Sequence, residues 1–398
     1  MDNQLIFLFR QKSNVKPFAA RHPVQPVVAY RDSCEPRVLT ENPMHKVGFT
    51  SPVLFFLPVL LVSWQTALPA ESGDLRTTDY FLSHVSSEPF YAQQGLSPNV
   101  LLHVREVVEA GTERTAGKDN KVLLFLHGGT FPGYVAFDLD HENVSMMRHF
   151  ARLGWDTFAL DLEGYGMSTR PSIMDEPDRY PDSPAPIGLD VTLGDVGRAV
   201  DFIRDLRNAD QVHLLAWSSG AMAEAPRYVS RHPEKVAKLV LYGVNYLGKG
   251  KSPEQRQEQD AKRHAEKNRY GDPADMQRWR KLGTKEENLI PGAFNAYTEA
   301  HLASDPKSAE LGGRIRAPWG RFIGWPEPHF DASTITVPTL VIRGETDTLG
   351  SREDNQQLLD DLGSEVKTYV EIENAGHMMH FEKNNIEFYS AVEAFLSQ

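Results

Sequence analysis

Short apolar runs alternate with longer segments of helical spacing along most of the chain. The runs are predicted to be strands, and their continuous apolar character indicates strands that are buried on both faces. Helical segments between the strands predict βαβ units and therefore a mostly parallel sheet. The predicted strands are Asn99–Val108, Lys121–Leu126, Asp156–Leu162, Val212–Ala216, Val236–Tyr242, Thr339–Arg343 and Lys367–Ile372, and the predicted helices are Val144–Leu153, Asp195–Leu206, Ala221–Ser230 and Asn385–Leu396.

The alternation is interrupted once, between about residues 245 and 331. This stretch is polar, helical in parts and contains many aromatic residues. The strand pattern resumes after it, so we interpret residues 245–331 as an insertion between two strands of one sheet. Residues 71–398 are accordingly predicted to form a single α/β domain, and the polar run Lys249–Arg269 is predicted to be a solvated helix or loop without a binding role.

The first 70 residues differ from the rest of the chain. Residues 1–43 show no sustained period and are rich in Pro, Arg and Gln, which predicts a disordered leader or one that is not translated. From Met44 a short basic start, the apolar run Pro52–Trp64 and the small-residue end Thr66–Ala70 follow the layout of a secretory signal peptide. The sequence therefore predicts a signal peptide over 44–70 and export to a periplasm or outside the cell. A buried or membrane-anchoring N-terminal helix is the alternative.

Charge and cysteine content narrow the classes of partner. The chain holds 42 basic and 54 acidic residues, a formal net charge of −12. Such an acidic surface argues against nucleic acid or an anionic membrane as the main partner, and no stable membrane insertion is expected once the signal is removed. The one cysteine, Cys34, lies outside the predicted domain, and no HExxH motif is present, so we expect no metal and no cofactor. The oligomeric state stays open.

A candidate nucleophile lies between a predicted strand and a predicted helix. The segment AWSSG, Ala216–Gly220, joins the strand VHLLA directly to the next helix, which is the setting of a nucleophile elbow with the usual sequence G-x-S-x-G. The tight turn requires small residues around Ser218. Ala216 and Gly220 meet that requirement, although Ala replaces the usual first Gly. A Ser-rich helix N-cap is the alternative interpretation.

Two further groups follow later strands. Asp347 follows the strand Thr339–Arg343, and His377 follows the strand Lys367–Ile372. Parallel strands bring their carboxyl ends to one edge of the sheet, where ligands bind in α/β folds. We therefore predict that Ser218 attacks, His377 takes its proton and Asp347 orients the imidazole. Glu345 and His380 are the competing residues.

With these motifs, the chain resembles the α/β-hydrolase superfamily, in its branch with a lid between the sixth and eighth strands. The likeness covers about residues 95–398 and includes Leu160–Pro171 (LDLEGYGMSTRP), similar to the family's D-x-R-G-x-G-x-S loop with Glu163 where Arg is usual. The resemblance implies the α/β-hydrolase fold: a mostly parallel central sheet, flanking helices and a helical cap inserted before the last strands.

The resemblance also implies further site residues. In this family the turn after the strand Lys121–Leu126, here HGGT, supplies one oxyanion-hole N–H, with Gly129 the first candidate and Thr130 the second. Ser219, after the nucleophile, supplies the other. The insertion would form a cap over the pocket, with Trp319 and Trp325 among its candidate lining residues and Trp217 a further one beside the nucleophile. An aromatic wall favours an apolar substrate.

The functional expectation is a serine hydrolase that cleaves a small or medium apolar carboxylic ester or lactone without a cofactor. The same triad serves acyltransferases and amide or peptide hydrolases. An aminopeptidase would need an acidic cluster in the cap, for which Glu286 and Glu287 are the nearest candidates. A non-catalytic hydrolase-like binding protein is the alternative from a different class.

Overall fold

The computed structural model describes residues 73–248 and 250–398, together with the backbone of three short strands, Phe7–Leu8, Val27–Tyr30 and Arg37–Val38. Apart from those strands, the predicted leader and the whole predicted signal peptide lie outside the described residues. Within the described part, none of the helices has the length and apolar character needed to cross a membrane.

The domain is built on a sheet of eight main strands, in the spatial order β10-β9-β6-β5-β3-β4-β2-β1. β1, β2 and β4 pair antiparallel, and the remaining neighbours pair parallel. Val27–Tyr30 pairs antiparallel with β1 at the outer edge. The main strands are β1 (Leu75–Val85), β2 (Asn99–Glu109), β3 (Val122–Leu126), β4 (Asp156–Leu160), β5 (Val212–Trp217), β6 (Val236–Tyr242), β9 (Thr339–Gly344) and β10 (Lys367–Ile372), with β7 and β8 in the insertion.

Helices cover both faces of the sheet. The inner strands β3, β4 and β5 are buried along their whole length, as their continuous apolar sequences predict. One core cluster contains residues of the helices Leu189–Arg207, Ala225–Arg231 and Arg352–Asp361. The other contains residues of the helices Met146–Arg152 and Asn385–Leu396. The helices outside the insertion are α1 (Pro89–Gln93), α2 (Gly133–Phe137), α3 (Met146–Arg152), α4 (Ser172–Asp175), α5 (Leu189–Arg207), α6 (Ala225–Arg231), α10 (Arg352–Asp361) and α11 (Asn385–Leu396).

The insertion leaves the sheet after β6 and returns at β9. These two strands are hydrogen-bonded neighbours, so the cap grows from a point between paired strands. It contains the helices α7 (Pro253–Ala265), α8 (Met276–Lys281) and α9 (Ala293–Ala303). It also contains an antiparallel pair, β7 (Asn268–Gly271) and β8 (Ile315–Pro318), which the prediction of a helical cap did not include.

Within the polar run, α7 has the predicted solvated character because none of its residues is buried. It begins with a capping box, in which the Ser252 side chain accepts from the Gln255 N–H and the Gln255 side chain accepts from the Ser252 N–H. The end of the same run behaves differently. Asn268 is buried in β7, and Arg269 beside it faces the sheet edge that carries the candidate site.

Candidate active site

The turn after β5 holds Ser218 in a strained conformation. The residue has φ +55°, in the left-handed region that L-residues other than Gly, Asn and Asp rarely adopt. Its N–H donates to the Tyr242 carbonyl oxygen at 2.9 Å, and a π-helical turn, Gly220–Glu224, follows. A Cβ on Gly220 would lie 2.8 Å from the His127 carbonyl oxygen, so glycine is needed for this close approach. Strain of this kind, of roughly 1–2 kcal/mol, is maintained by the surrounding structure and concentrates at functional sites.

Asp347 and His377 are joined at the carboxyl ends of β9 and β10. The His377 Nδ1 lies 2.8 Å from the Asp347 Oδ2, and both side chains are almost fully buried. The Asp347 Oδ1 accepts the Leu349 N–H at 2.8 Å, which fixes the carboxylate plane. At the end of β6, Gly243 has φ +60°, and a Cβ there would lie 2.9 Å from the imidazole. The absence of a side chain at Gly243 therefore makes room for this pair.

The competing residues are engaged elsewhere. Glu345 is exposed and accepts the Asn374 N–H at 2.8 Å through Oε2. His380 is fully buried, and its Nδ1 lies 3.0 Å from the Tyr242 hydroxyl. Burial, together with the neighbouring His377, lowers the pKa of His380 well below its ordinary value. Of the two histidines, His377 is the one that contacts Asp347.

The HGGT turn lies against the serine. A Cβ on Gly128 would be 3.1 Å from the Ser218 Cβ. Within the described part of the chain, no hydrogen bond is made by the N–H groups of Gly129, Thr130 or Ser219, the three candidate oxyanion donors. Backbone N–H groups at such a position normally find an acceptor. These three are therefore available to an oxygen atom that develops negative charge.

His127 holds this turn in place as a neutral group. Its Nε2 accepts the Leu162 N–H at 3.2 Å, so its Nδ1 carries the proton and donates to the Gly128 carbonyl oxygen at 2.8 Å. Burial and the nearby Arg321 lower the pKa of His127 to about 3. The histidine of the motif is thus a structural part of the turn.

The three tryptophans predicted to line the pocket occupy different places. Trp217 is 1 % exposed, and its Nε1 donates to the His377 carbonyl oxygen at 3.2 Å. It therefore packs against the His377 backbone and has no ring face accessible to a substrate. Trp319 lines a cleft of about 750 Å³ over β7. Trp325 donates from Nε1 to the Arg321 carbonyl oxygen, and its ring lies 5.6 Å from that of Phe322.

Arginines of the cap approach the HGGT turn, which the sequence did not predict. The Arg278 Nη2 donates to the Thr130 Oγ1 at 2.7 Å. A Cβ on Gly129 would lie 3.0 Å from the Arg269 Nη1. Arg321 is fully buried and donates to both carboxylate oxygens of Glu224, at 3.0 and 2.7 Å. In a polar insertion, nothing in the sequence distinguishes an arginine that contacts this turn from an arginine that is solvated.

Glu163, where the family's loop usually has Arg, lies in a buried acidic cluster. It is fully buried and accepts the Tyr91 hydroxyl at 2.6 Å, while its N–H donates to the Asp195 Oδ2 at 2.9 Å. Burial raises the pKa of Glu163 to about 7, and the nearby Glu88 adds to the effect. Burial and the Glu163 charge raise the pKa of Asp195 well above its ordinary value.

The stability of the Glu163→Gln variant should depend less on pH between about pH 4.5 and 7 than that of the wild type. Between about pH 4.5 and 7 the folded protein keeps a proton on Glu163 that the unfolded chain has released. The free energy of unfolding therefore falls as pH rises through this window, by about 3 kcal/mol. The variant lacks this contribution, so urea unfolding at pH 5, 6, 7 and 8 should show a smaller loss of stability.

Glu365→Gln is the control, because it changes an exposed carboxylate. Its stability profile should run parallel to that of the wild type. If the Glu163→Gln profile is parallel as well, Glu163 does not hold a proton in the folded state.

The described residues 73–248 and 250–398 contain no group of three or more His, Cys, Asp or Glu side chains arranged to hold a metal ion. The features that this site offers are a strained serine, an Asp–His pair and unpaired N–H groups. Chemically, these can activate a hydroxyl for attack on a carbonyl carbon and stabilise the oxyanion that forms.

Comparisons with known proteins agree with the strand order. A family model described as the alpha/beta hydrolase fold matches residues 121–384. Similar solved structures include an esterase from Exiguobacterium antarcticum, 15 % identical, covering 75 % of this chain and 97 % of that one, with a TM-score of 0.52. The enol-lactonase from Burkholderia xenovorans LB400 is 16 % identical, with the same coverage and TM-score. A thermophilic esterase from Thermogutta terrifontis is also 16 % identical, covering 79 % and 97 %, with a TM-score of 0.51.

At these identities the solved structures establish a shared fold only. Among curated proteins, none matches this chain. The family model spans more than half of the sequence and covers β3 to β10, including Ser218, Asp347 and His377. The mostly parallel sheet with flanking helices is the architecture that this model describes. The chain therefore belongs to the α/β-hydrolase fold family.

Proposed function

We propose that this protein is a serine hydrolase that cleaves a small or medium apolar carboxylic ester or lactone through an acyl-enzyme on Ser218. The observation that carries the proposal is the strained Ser218, with φ +55°, at the same sheet edge as the Asp347–His377 pair. A serine has no structural reason to adopt this conformation in a turn where glycine would be free of strain.

In the proposed reaction, the Ser218 hydroxyl attacks the substrate carbonyl carbon and His377 takes its proton at Nε2. Asp347 accepts the Nδ1–H and stabilises the imidazolium. The N–H groups of Ser219 and Gly129 receive the oxyanion. His377 then returns the proton to the leaving alcohol, and a water molecule, activated by the same histidine, releases the acid from Ser218.

Two features favour this function over its alternatives. Glu286 and Glu287 are exposed, and Glu286 forms an ion pair with Arg280, so neither offers the buried acidic group with which an aminopeptidase would hold a substrate amine. A non-catalytic relative would have no use for a strained serine beside an intact Asp–His pair. Export to a periplasm or outside the cell remains a prediction, because residues 44–70 lie outside the described part.

The test is labelling of the purified protein with a fluorophosphonate, followed by intact mass measurement. We expect one adduct on the wild type, located on Ser218 by peptide mapping, and no adduct on Ser218→Ala. A panel of neutral esters, lactones and amides then identifies the bond that is cleaved. Ester or lactone hydrolysis that disappears in Ser218→Ala would establish the function.

The proposal would be overturned by a well-folded wild type that takes no label and hydrolyses no member of the panel. Circular dichroism of both proteins serves as the control for folding. An adduct that persists in Ser218→Ala would place the reactive serine elsewhere.

A further inference from the structure

Arg269 extends from the cap to the turn that carries the candidate oxyanion donors. It lies on β7, and its Nη1 is 3.0 Å from the position that a Cβ on Gly129 would occupy. A Cβ on Gly128, one residue earlier, would lie 3.1 Å from the Ser218 Cβ. The Cα atoms of Gly128 and Gly129 are about 3.8 Å apart, and these two residues link the two contacts. The Arg269 Nη1 therefore lies at most about 13 Å from the Ser218 Cβ.

Its guanidinium has no counter-ion. Within the described part of the chain, Arg269 forms no ion pair and no side-chain hydrogen bond. Two buried arginines of the cap are paired, since Arg321 binds Glu224 and Arg316 binds Asp305, whereas Arg269 is half-buried. Among the described residues Arg278, at the same turn, forms no ion pair either, so two cations without a counter-ion lie beside the candidate site.

Two aromatic rings lie against this guanidinium without neutralising it. The Trp319 ring centroid lies 5.4 Å from the guanidinium carbon, and the Phe322 centroid lies 5.5 Å from it. Cation–π contacts of this kind use none of the N–H donors of the guanidinium, which can therefore bind a planar anion.

Arg269 remains a cation at neutral pH. Burial, together with the guanidinium groups of Arg278, Arg263 and Arg321, lowers its pKa to about 10. Arg321 and Arg263 are paired with Glu224 and Asp260, so the positive potential around the HGGT turn comes mainly from Arg269 and Arg278. A bound anion would relieve both the burial cost and the mutual repulsion.

We propose that Arg269 binds a carboxylate of the substrate, so that the preferred substrate is an ester or lactone with a carboxylate within about 13 Å of the reacting carbonyl. The inference rests on the proposed function of Ser218 and narrows the substrate class of that same site: the ester or lactone is apolar apart from one carboxylate. A carboxylate matches the paired N–H donors of a guanidinium edge, and the aromatic residues beside Arg269 suit the apolar part of such a molecule. The cleft over β7, which Arg269 and Trp319 line, is open to a ligand from solvent.

The test compares p-nitrophenyl half-esters of glutaric and adipic acid with the same compounds methylated at the free carboxylate. A second pair, 4-acetoxybenzoate and its methyl ester, carries the carboxylate on the alcohol side. After subtraction of spontaneous hydrolysis, we expect kcat/KM of the full-length wild type to favour the carboxylate compound roughly tenfold to hundredfold in at least one series.

Arg269→Gln should reduce this ratio to about one, because it removes the cation that distinguishes the carboxylate compound from its methyl ester. Arg280→Gln is the matched control: it removes the same charge from an exposed cap arginine that pairs with Glu286 and does not line the cleft over β7. Its ratio should stay unchanged. A wild type that hydrolyses both members of every pair equally would overturn the inference and leave the proposed function standing.

Binding provides a readout that does not depend on turnover. In Ser218→Ala, calorimetry should detect glutarate or adipate, and the double variant Ser218→Ala/Arg269→Gln should bind neither. If no ester is hydrolysed by the wild type but this Arg269-dependent binding is present, the proposed function fails and the anion site stands. Absence of both preference and binding would refute the anion site.

Discussion

Replacing Ser218 by glycine should abolish ester hydrolysis and at the same time stabilise the folded protein. Loss of a nucleophile lowers kcat by about 10⁴- to 10⁶-fold, because the general base then has nothing to activate. Relief of the left-handed backbone strain at φ +55° gains roughly 1–2 kcal/mol, and the greater freedom of glycine in the unfolded chain returns about 0.5–1 kcal/mol of this. The free energy of unfolding should therefore rise by about 0.5–1 kcal/mol.

Ser218→Ala is the matched control for this prediction. It removes the same hydroxyl but keeps the Cβ that causes the strain, so it should be equally inactive and gain no comparable stability. Urea unfolding of the three proteins measures the difference, and a chromogenic ester measures the activity. A glycine variant that is less stable than the alanine variant, or one that keeps more than a tenth of the activity, would contradict the prediction.

Asp347→Asn should lower kcat by about 10⁴-fold with little change in stability or in KM. The Oδ1 of residue 347 accepts the Leu349 N–H, and an asparagine would keep that contact. Its amide nitrogen would then face the His377 Nδ1, which would have to act as an acceptor. The imidazole proton would move to Nε2, and that nitrogen could no longer take the proton of Ser218.

Glu345→Gln is the control, since it changes an exposed carboxylate two residues away on the same loop. Its kcat should equal that of the wild type. Single-turnover kinetics with a chromogenic ester separate acylation from binding in both variants. If Glu345→Gln loses as much activity as Asp347→Asn, or if Asp347→Asn retains most of its activity, then Asp347 does not orient the base.

The site could be anticipated from sequence because its members follow predicted parallel strands. The apolar runs that form β3, β5 and β9 predict buried parallel strands, β10 is a half-buried strand at the sheet edge, and parallel strands deliver the residues after them to one edge. Ser218, Asp347 and His377 each follow one of these strands. Their meeting is therefore a consequence of topology rather than of any local signal.

Other elements could not be predicted because their signals depend on partners far away in sequence. β1 was missed since most of its residues are only half-buried, and its sequence, LRTTDYFLSHV, shows no continuous apolar run. The cap strands β7 and β8 are four residues each and are separated by more than forty positions, so no hairpin turn between them predicts that they pair. Trp217 was expected in the pocket by its position, but the packing of β5 directs it beneath His377.

The sequence by itself determined the order of most strands and helices, the mostly parallel sheet and the candidate nucleophile Ser218, because hydrophobic periodicity and turn chemistry are local. Only the tertiary structure decided which of Glu345 and Asp347, or His377 and His380, form a pair, since that depends on side-chain direction at the ends of β9 and β10. It alone separated Arg269 from the solvated charges around it. Burial and the absence of a counter-ion are properties of the folded surroundings, and no residue carries them alone.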